Sequence, residues 1–85
     1  MSKDILLVLV NKRKETAVSV QKILTDWGCI IKTRLGIHDG VLKNCSNTGL
    51  IILELVGTAG QRAQLSHKLK LLKGVDVKSV TLTLK

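Results

Sequence analysis

The chain has 85 residues, which is one small domain, and that length excludes a two-lobed enzyme with a cleft between domains. It is 45% hydrophobic with a single aromatic residue, Trp27, and its 14 Lys+Arg against 6 Asp+Glu give a net charge of +8. A domain of this size buries only about 60–65% of its unfolded surface, so self-association is the usual support where disulfides and metals are absent.

Ile5-Leu6-Leu7-Val8-Leu9-Val10 is a continuous apolar run bounded by charge. It reads as a central strand covered on both faces. The run is far short of the ~18–20 residues a bilayer helix needs. Asp4 precedes it and Asn11-Lys12-Arg13-Lys14 follows it with no small-residue cleavage site, which makes the run a poor signal peptide. The expected compartment is the cytoplasm, with Cys29 and Cys45 as reduced thiols. Asn11 is placed to cap a helix over Lys14 to Trp27, where Ala17, Val20, Leu24 and Trp27 form an apolar stripe with Ile23 beside it. Gly28 is the expected left-handed residue that ends this helix. Cys29 to Ile37 alternates as an edge-type strand does. Ile31, Thr33, Leu35 and Ile37 share one face, and Ile30, Lys32 and Arg34 the other. Asp39 to Gly49 is rich in turn formers and reads as a long hairpin loop. Leu50 to Val56 is a second central strand, closed by Gly57. Thr58 to Gln61 is a capping box that opens a second helix burying Leu65, Leu69 and Leu72. Val75 to Leu84 is the last strand, and its apolar parity shifts from Val75 and Val77 to Val80, Leu82 and Leu84.

The order β-α-β-β-α-β predicts an α+β, ferredoxin-like sandwich. Two helices cover one face of a four-stranded antiparallel sheet, with strands one and three central. Both central strands are apolar on both faces, so the uncovered face is a large aliphatic patch of a kind monomers rarely keep. The expected partner is a second copy of the chain, as a homodimer or dimer-based oligomer, with Val80, Leu82 and Leu84 at the interface.

Residues able to carry chemistry are few, and the chain reads as a non-enzyme with no cofactor. Glu54 lies inside a central strand, where an ion pair with Lys32 or Arg34 is favoured over a tuned acid. His67 falls opposite the leucine stripe and belongs to the surface. His38 and Cys45 are too few ligands for a tetrahedral metal site, so none is assigned. The lysines are scattered along the chain, which favours a solvated basic surface over a nucleic-acid groove. The central strands also lack the aromatics on which a sheet of this topology stacks RNA bases. Asn11-Lys12-Arg13-Lys14 brings cations to the mouth of the first helix, where backbone amides attract anions.

Ile23-Leu24-Thr25-Asp26-Trp27-Gly28, Ile30-Ile31 and Arg34-Leu35-Gly36-Ile37 resemble the segment that opens the second strand in the iron-only hydrogenase system regulator family. The likeness continues through Leu50-Ile51-Ile52-Leu53, Leu65-Ser66-His67-Lys68-Leu69 and Gly74-Val75-Asp76-Val77-Lys78-Ser79, nearly the whole chain in register. Ala63, His67 and Lys70 depart from a second helix that is richer in glycine in that family, and His38-Asp39 replaces a proline and an aromatic. The resemblance implies a single ACT-like regulatory domain over residues 1–85, acting on a small-molecule effector near the first strand–helix turn. The candidate ligand-binding residues are Asn11, Lys12, Arg13, Gly36 and His38. The weighed alternatives are a protein-interaction scaffold without a small ligand, a basic nucleic-acid-binding domain and a metal sensor. The domain lacks a helix-turn-helix, so a DNA reader would have to be a separate component.

Overall fold

The structure, a computed structural model, describes residues 1–11, 14–38 and 48–85. Strand β1 spans Ser2–Asn11, helix α1 Lys14–Asp26, β2 Ile31–His38, β3 Thr48–Leu55, α2 Ala59–Lys70 and β4 Val75–Thr83. A 3-10 turn, Gly28–Ile30, joins α1 to β2. The strands form one antiparallel sheet in the order β2-β3-β1-β4. This is the ferredoxin-like α+β sandwich that the element order predicts, with the two apolar runs at its centre. Among the described residues, no helix is long and apolar enough to cross a membrane.

The register decides which side chains meet the helices. Leu6 pairs with Leu53 and Val8 with Ile51, while Val8 also pairs with Val77 of β4. One face of the sheet therefore presents Leu6, Val8, Val10, Leu53, Leu55 and Val77, all buried. They pack with Val20 and Leu24 of α1 and with Leu65 and Leu69 of α2. Each leucine taken out of water there contributes roughly 1.5–3 kcal/mol. The capping box at the start of α2 forms as expected: Gln61 N–H donates to Thr58 Oγ1 at 3.1 Å, and Thr58 N–H to Gln61 Oε1 at 2.8 Å. Gly57 before it has φ +89°, and a Cβ there would stand 2.6 Å from Gln61 Oε1 and 2.9 Å from Ile30 Cγ2. Only glycine lets the chain turn this tightly against both groups.

Two local expectations are corrected. Gly28 is not a left-handed helix end: among the described glycines, positive φ occurs at Gly57 and Gly74. It opens the 3-10 turn instead, which buries Ile30 and lets the Ile30 carbonyl accept from Val56 N–H at 2.8 Å. Asn11 is the last residue of β1 and pairs with Thr48, so its backbone belongs to the sheet. The simple alternation in β2 is broken by a bulge between Ile31 and Thr33. Ile31 pairs with Leu55 and packs on the core, whereas Thr33, Leu35 and Ile37 take the opposite face. A bulge inserts one residue and resets parity, which period-two counting does not register.

The face away from the helices carries Ile5, Leu7 and Leu9 of β1, Leu50 and Ile52 of β3, Leu35 and Ile37 of β2, and Val80 and Leu82 of β4. Leu82 is 61% and Leu35 53% exposed. The aliphatic excess noted in the sequence therefore lies on one continuous sheet surface. Leu84 extends it past the end of β4, where its N–H donates to Met1 O at 2.9 Å.

Candidate functional site

A cleft of about 380 Å³ lies between α1 and the β2–β3 half of the sheet. Its floor is Val10, Val20 and Ile51, and its rim includes Ala17 and Gln21 of α1 and Gly36 of β2. The cause is a local absence of side chains on helix-facing rows. Val10 pairs with Gly49, which pairs with His38, and Ile51 pairs with Gly36. Two of those positions are glycine, and the smallest residue of the α1 stripe, Ala17, lies above them. Gly36 has no positive φ, and nothing stands within 4 Å of where its Cβ would be. Neither turn geometry nor close packing requires glycine here, yet glycine weakens a strand. Its effect is to keep the cleft open, within the size range of small-ligand pockets.

Gly36 lies in the cleft. The backbone of His38 ends β2 in the row of Val10 and Gly49, at the same end of the sheet. Asn11 follows one row on, and its N–H donates to Gly74 O at 2.8 Å. Lys12 and Arg13 lie outside the described residues, in the two positions between β1 and α1. The fold thus brings Asn11, Gly36 and the His38 backbone to one end of the sheet. Sequence reasoning missed Ala17, Gln21, Gly49 and Ile51. Gly49 was detectable once strand three was paired with strand one. Gln21 lies off the apolar stripe of α1, and it accepts a hydrogen bond from Arg34 across the α1–β2 gap.

Arg34 is thereby removed from the partners expected for Glu54. Glu54 lies on the other face, with Lys3 Nζ at 3.1 Å and Lys32 Nζ at 3.8 Å from its Oε2. Lys32 is the expected partner and Lys3 the unexpected, closer one, placed diagonally across β1 by the Ile5–Glu54 pairing. The hydrogen bond to Glu54, followed by its coulombic attraction, holds the Lys3 ammonium above the ordinary value of 10.5. Two cations around one carboxylate make this a structural ion cluster at the margin of the bare face. Among the described residues, no group of three or more His, Cys, Asp or Glu is placed to hold a metal ion. Cys45, the other half of the His38–Cys45 combination, lies outside the described residues.

No protein-family model matches the chain. No curated protein matches it. Among solved structures, an uncharacterized protein from Thermotoga maritima is similar at 28% identity and a TM-score of 0.83, over 98% of this chain and 100% of its own. A nitrogen regulatory PII-like protein from Thiomonas intermedia, bound to ADP, AMP and bicarbonate, is similar at 12% identity and a TM-score of 0.60, over 99% of this chain and 93% of its own. A formyltetrahydrofolate deformylase from Pseudomonas putida matches at 19% identity and a TM-score of 0.56, over 92% of this chain and 28% of the enzyme. The likeness to the Thermotoga protein runs the full length of both chains, and the two more distant structures share the ferredoxin-like fold alone.

Proposed function

We propose that the chain is a non-enzymatic regulatory module that senses a small ligand in the α1–β2 cleft and works as a homo-oligomer. Gly36 carries the reading: a strand glycine with no conformational or packing need for being glycine, whose one effect is an open, apolar-floored cleft. The cations Lys12 and Arg13 follow Asn11 directly in the sequence. The aliphatic floor suits the apolar body of a small molecule, and Lys12 and Arg13 are the cations proposed to meet an anionic group on it. The sequence likeness to iron-only hydrogenase system regulators supplies the regulated system. A PII-like protein with the same fold, solved with nucleotides and bicarbonate bound, is consistent with small-ligand regulation on this scaffold, although fold by itself does not fix function.

Self-association rests on the bare aliphatic face, where Val80 and Leu82 stand beside Ile5 and Leu7 and Leu84 extends the surface. That face also supports a second reading, a protein-interaction scaffold without a small ligand. Thermal-shift screening with amino acids, nucleotides and divalent metals separates the two. A saturating ligand raises the melting temperature by mass action. Gly36→Val fills the cleft, keeps the fold and abolishes the shift. No shift with any compound leaves the scaffold, and a shift that survives Gly36→Val overturns the α1–β2 cleft as the sensing site.

A further inference from the structure

A second cleft, about 430 Å³, opens on the other flank of the helix layer, between α2 and the β1–β4 edge. Ala59, Ala63, Ser66 and Lys70 recur at helical spacing along the face of α2 that lines it. On the sheet side, Asp4, Ser79 and Thr81 occupy the helix-facing rows that hold Leu6 and Val77 further along. Small residues on the helix and short polar ones on the sheet leave a space that neither layer fills.

Part of this lining is already committed. Asp4 accepts from Thr81 Oγ1 at 2.9 Å and pairs with Arg62 Nε at 3.6 Å. Arg62 Nη1 also donates to Gly57 O at 2.6 Å, so the carboxylate and the guanidinium hold each other in a fixed wall. The remaining groups are uncommitted. Ser66 is only 8% exposed and lines the cleft, yet its hydroxyl makes no hydrogen bond to any protein group among the described residues. Among the described residues no buried side-chain nitrogen or oxygen lacks a partner, so the Ser66 hydroxyl is open to the cleft, where a ligand or solvent can meet it. The Ser79 hydroxyl and the Lys70 ammonium line the same space, also without a protein partner among the described residues. Arg62 and Lys70 against Asp4 leave one net positive charge on the lining. Together these groups amount to hydroxyl donors and acceptors around one uncompensated cation.

We propose that this cleft is a second ligand site, for a small hydrophilic molecule bearing one oxyanion group, either a phosphate ester or a carboxylate. Lys70 meets the oxyanion, and the Ser66 and Ser79 hydroxyls hydrogen-bond the polyhydroxyl body. The site is independent of the α1–β2 cleft, which has an apolar floor and lies across the helix layer.

The test is an amide NMR titration of the full chain with glycerol 3-phosphate, with glycerate and with uncharged glycerol. The expected result is saturable shifts at Ser66, Lys70 and Ser79 with at least one of the two anions and none with glycerol. Lys70→Ala weakens binding about tenfold and the near-isosteric Ser66→Ala about threefold. Gly36→Val, in the other cleft, leaves the titration unchanged. The preferred anion identifies the oxyanion source. Absence of saturable shifts with both anions overturns the proposal. So does equal binding of glycerol, or an affinity that Lys70→Ala does not change.

Discussion

The two faces of the sheet are built from the same strands and, residue by residue, from similar side chains. Leu6 and Leu53 on one face are buried, whereas their immediate neighbours Leu7 and Ile52 on the other are half-buried. The chemistry is nearly identical, and what differs is the presence of a helix layer. On the covered face, leucine and valine close a core against α1 and α2, and polarity enters at its margins, as at Asp4, Ser79 and Thr81. On the bare face, aliphatic residues run from β2 to β4, with the Lys3–Glu54–Lys32 cluster among the polar groups on it. Apolar content therefore does not show by itself where the core is; the register and the cover do. One face therefore holds the monomer's core, and the other is aliphatic without a helix cover.

Truncation on each face gives the largest test of that contrast. Leu53→Ala should destabilise the chain by about 2–5 kcal/mol in urea unfolding, since it opens a cavity in the buried core. The same change at Leu7 should cost far less. Equal losses would show that the bare face is as tightly packed in the working state as the covered one. Loosening the cover without touching the core comes next: Thr58→Ala removes the α2 cap and should cost about 1 kcal/mol, read from the thermal midpoint. On the bare face, Leu82→Asp should leave monomer stability within about 0.5 kcal/mol but reduce the sedimentation coefficient to that of a monomer. A wild-type chain that is strictly monomeric at micromolar concentration would break the comparison at its root.

The smallest effect is electrostatic and belongs to Lys3. Its folded-state value is raised above 10.5 by Glu54, so the stabilisation is fully present below 10.5. It is lost as the pH rises through the raised value. Denaturant midpoints of the wild type and Lys3→Ala should differ near neutral pH and converge in the strongly alkaline range. A gap that persists there would assign the role of Lys3 to packing of its stem along the sheet.

Much of the fold was legible because period and punctuation agree with tertiary structure. The apolar runs at Ile5–Val10 and Leu50–Val56 became the central strands, and Thr58 and Gln61 announced the second helix. The parity switch between Val77 and Val80 was also readable, and the structure places those residues on opposite faces. What escaped was set by geometry that no single segment carries. The bulge after Ile31 depends on how β2 meets β3, and the partner of Glu54 depends on the diagonal from β1. Of the candidate site, Gly36 was visible as a residue, but its meaning was not, because the emptiness above it belongs to Ala17 and Gly49 as well. The α2–β4 cleft was missed because its serines and threonine are unremarkable in sequence and converge only through folding.

The bulge in β2 has a bearing on how the chain can vary in length. Ile31 pairs with Leu55 and Thr33 with Glu54, which leaves Lys32 as the one residue of that segment the ladder does not count. A chain lacking it would have a regular register, with Arg34 and Gly36 still facing the helices and Leu35 and Ile37 still facing away. Lys32 is thus a natural place for a one-residue gap between related chains, and the cleft beside Gly36 would keep its walls whether or not the residue is there.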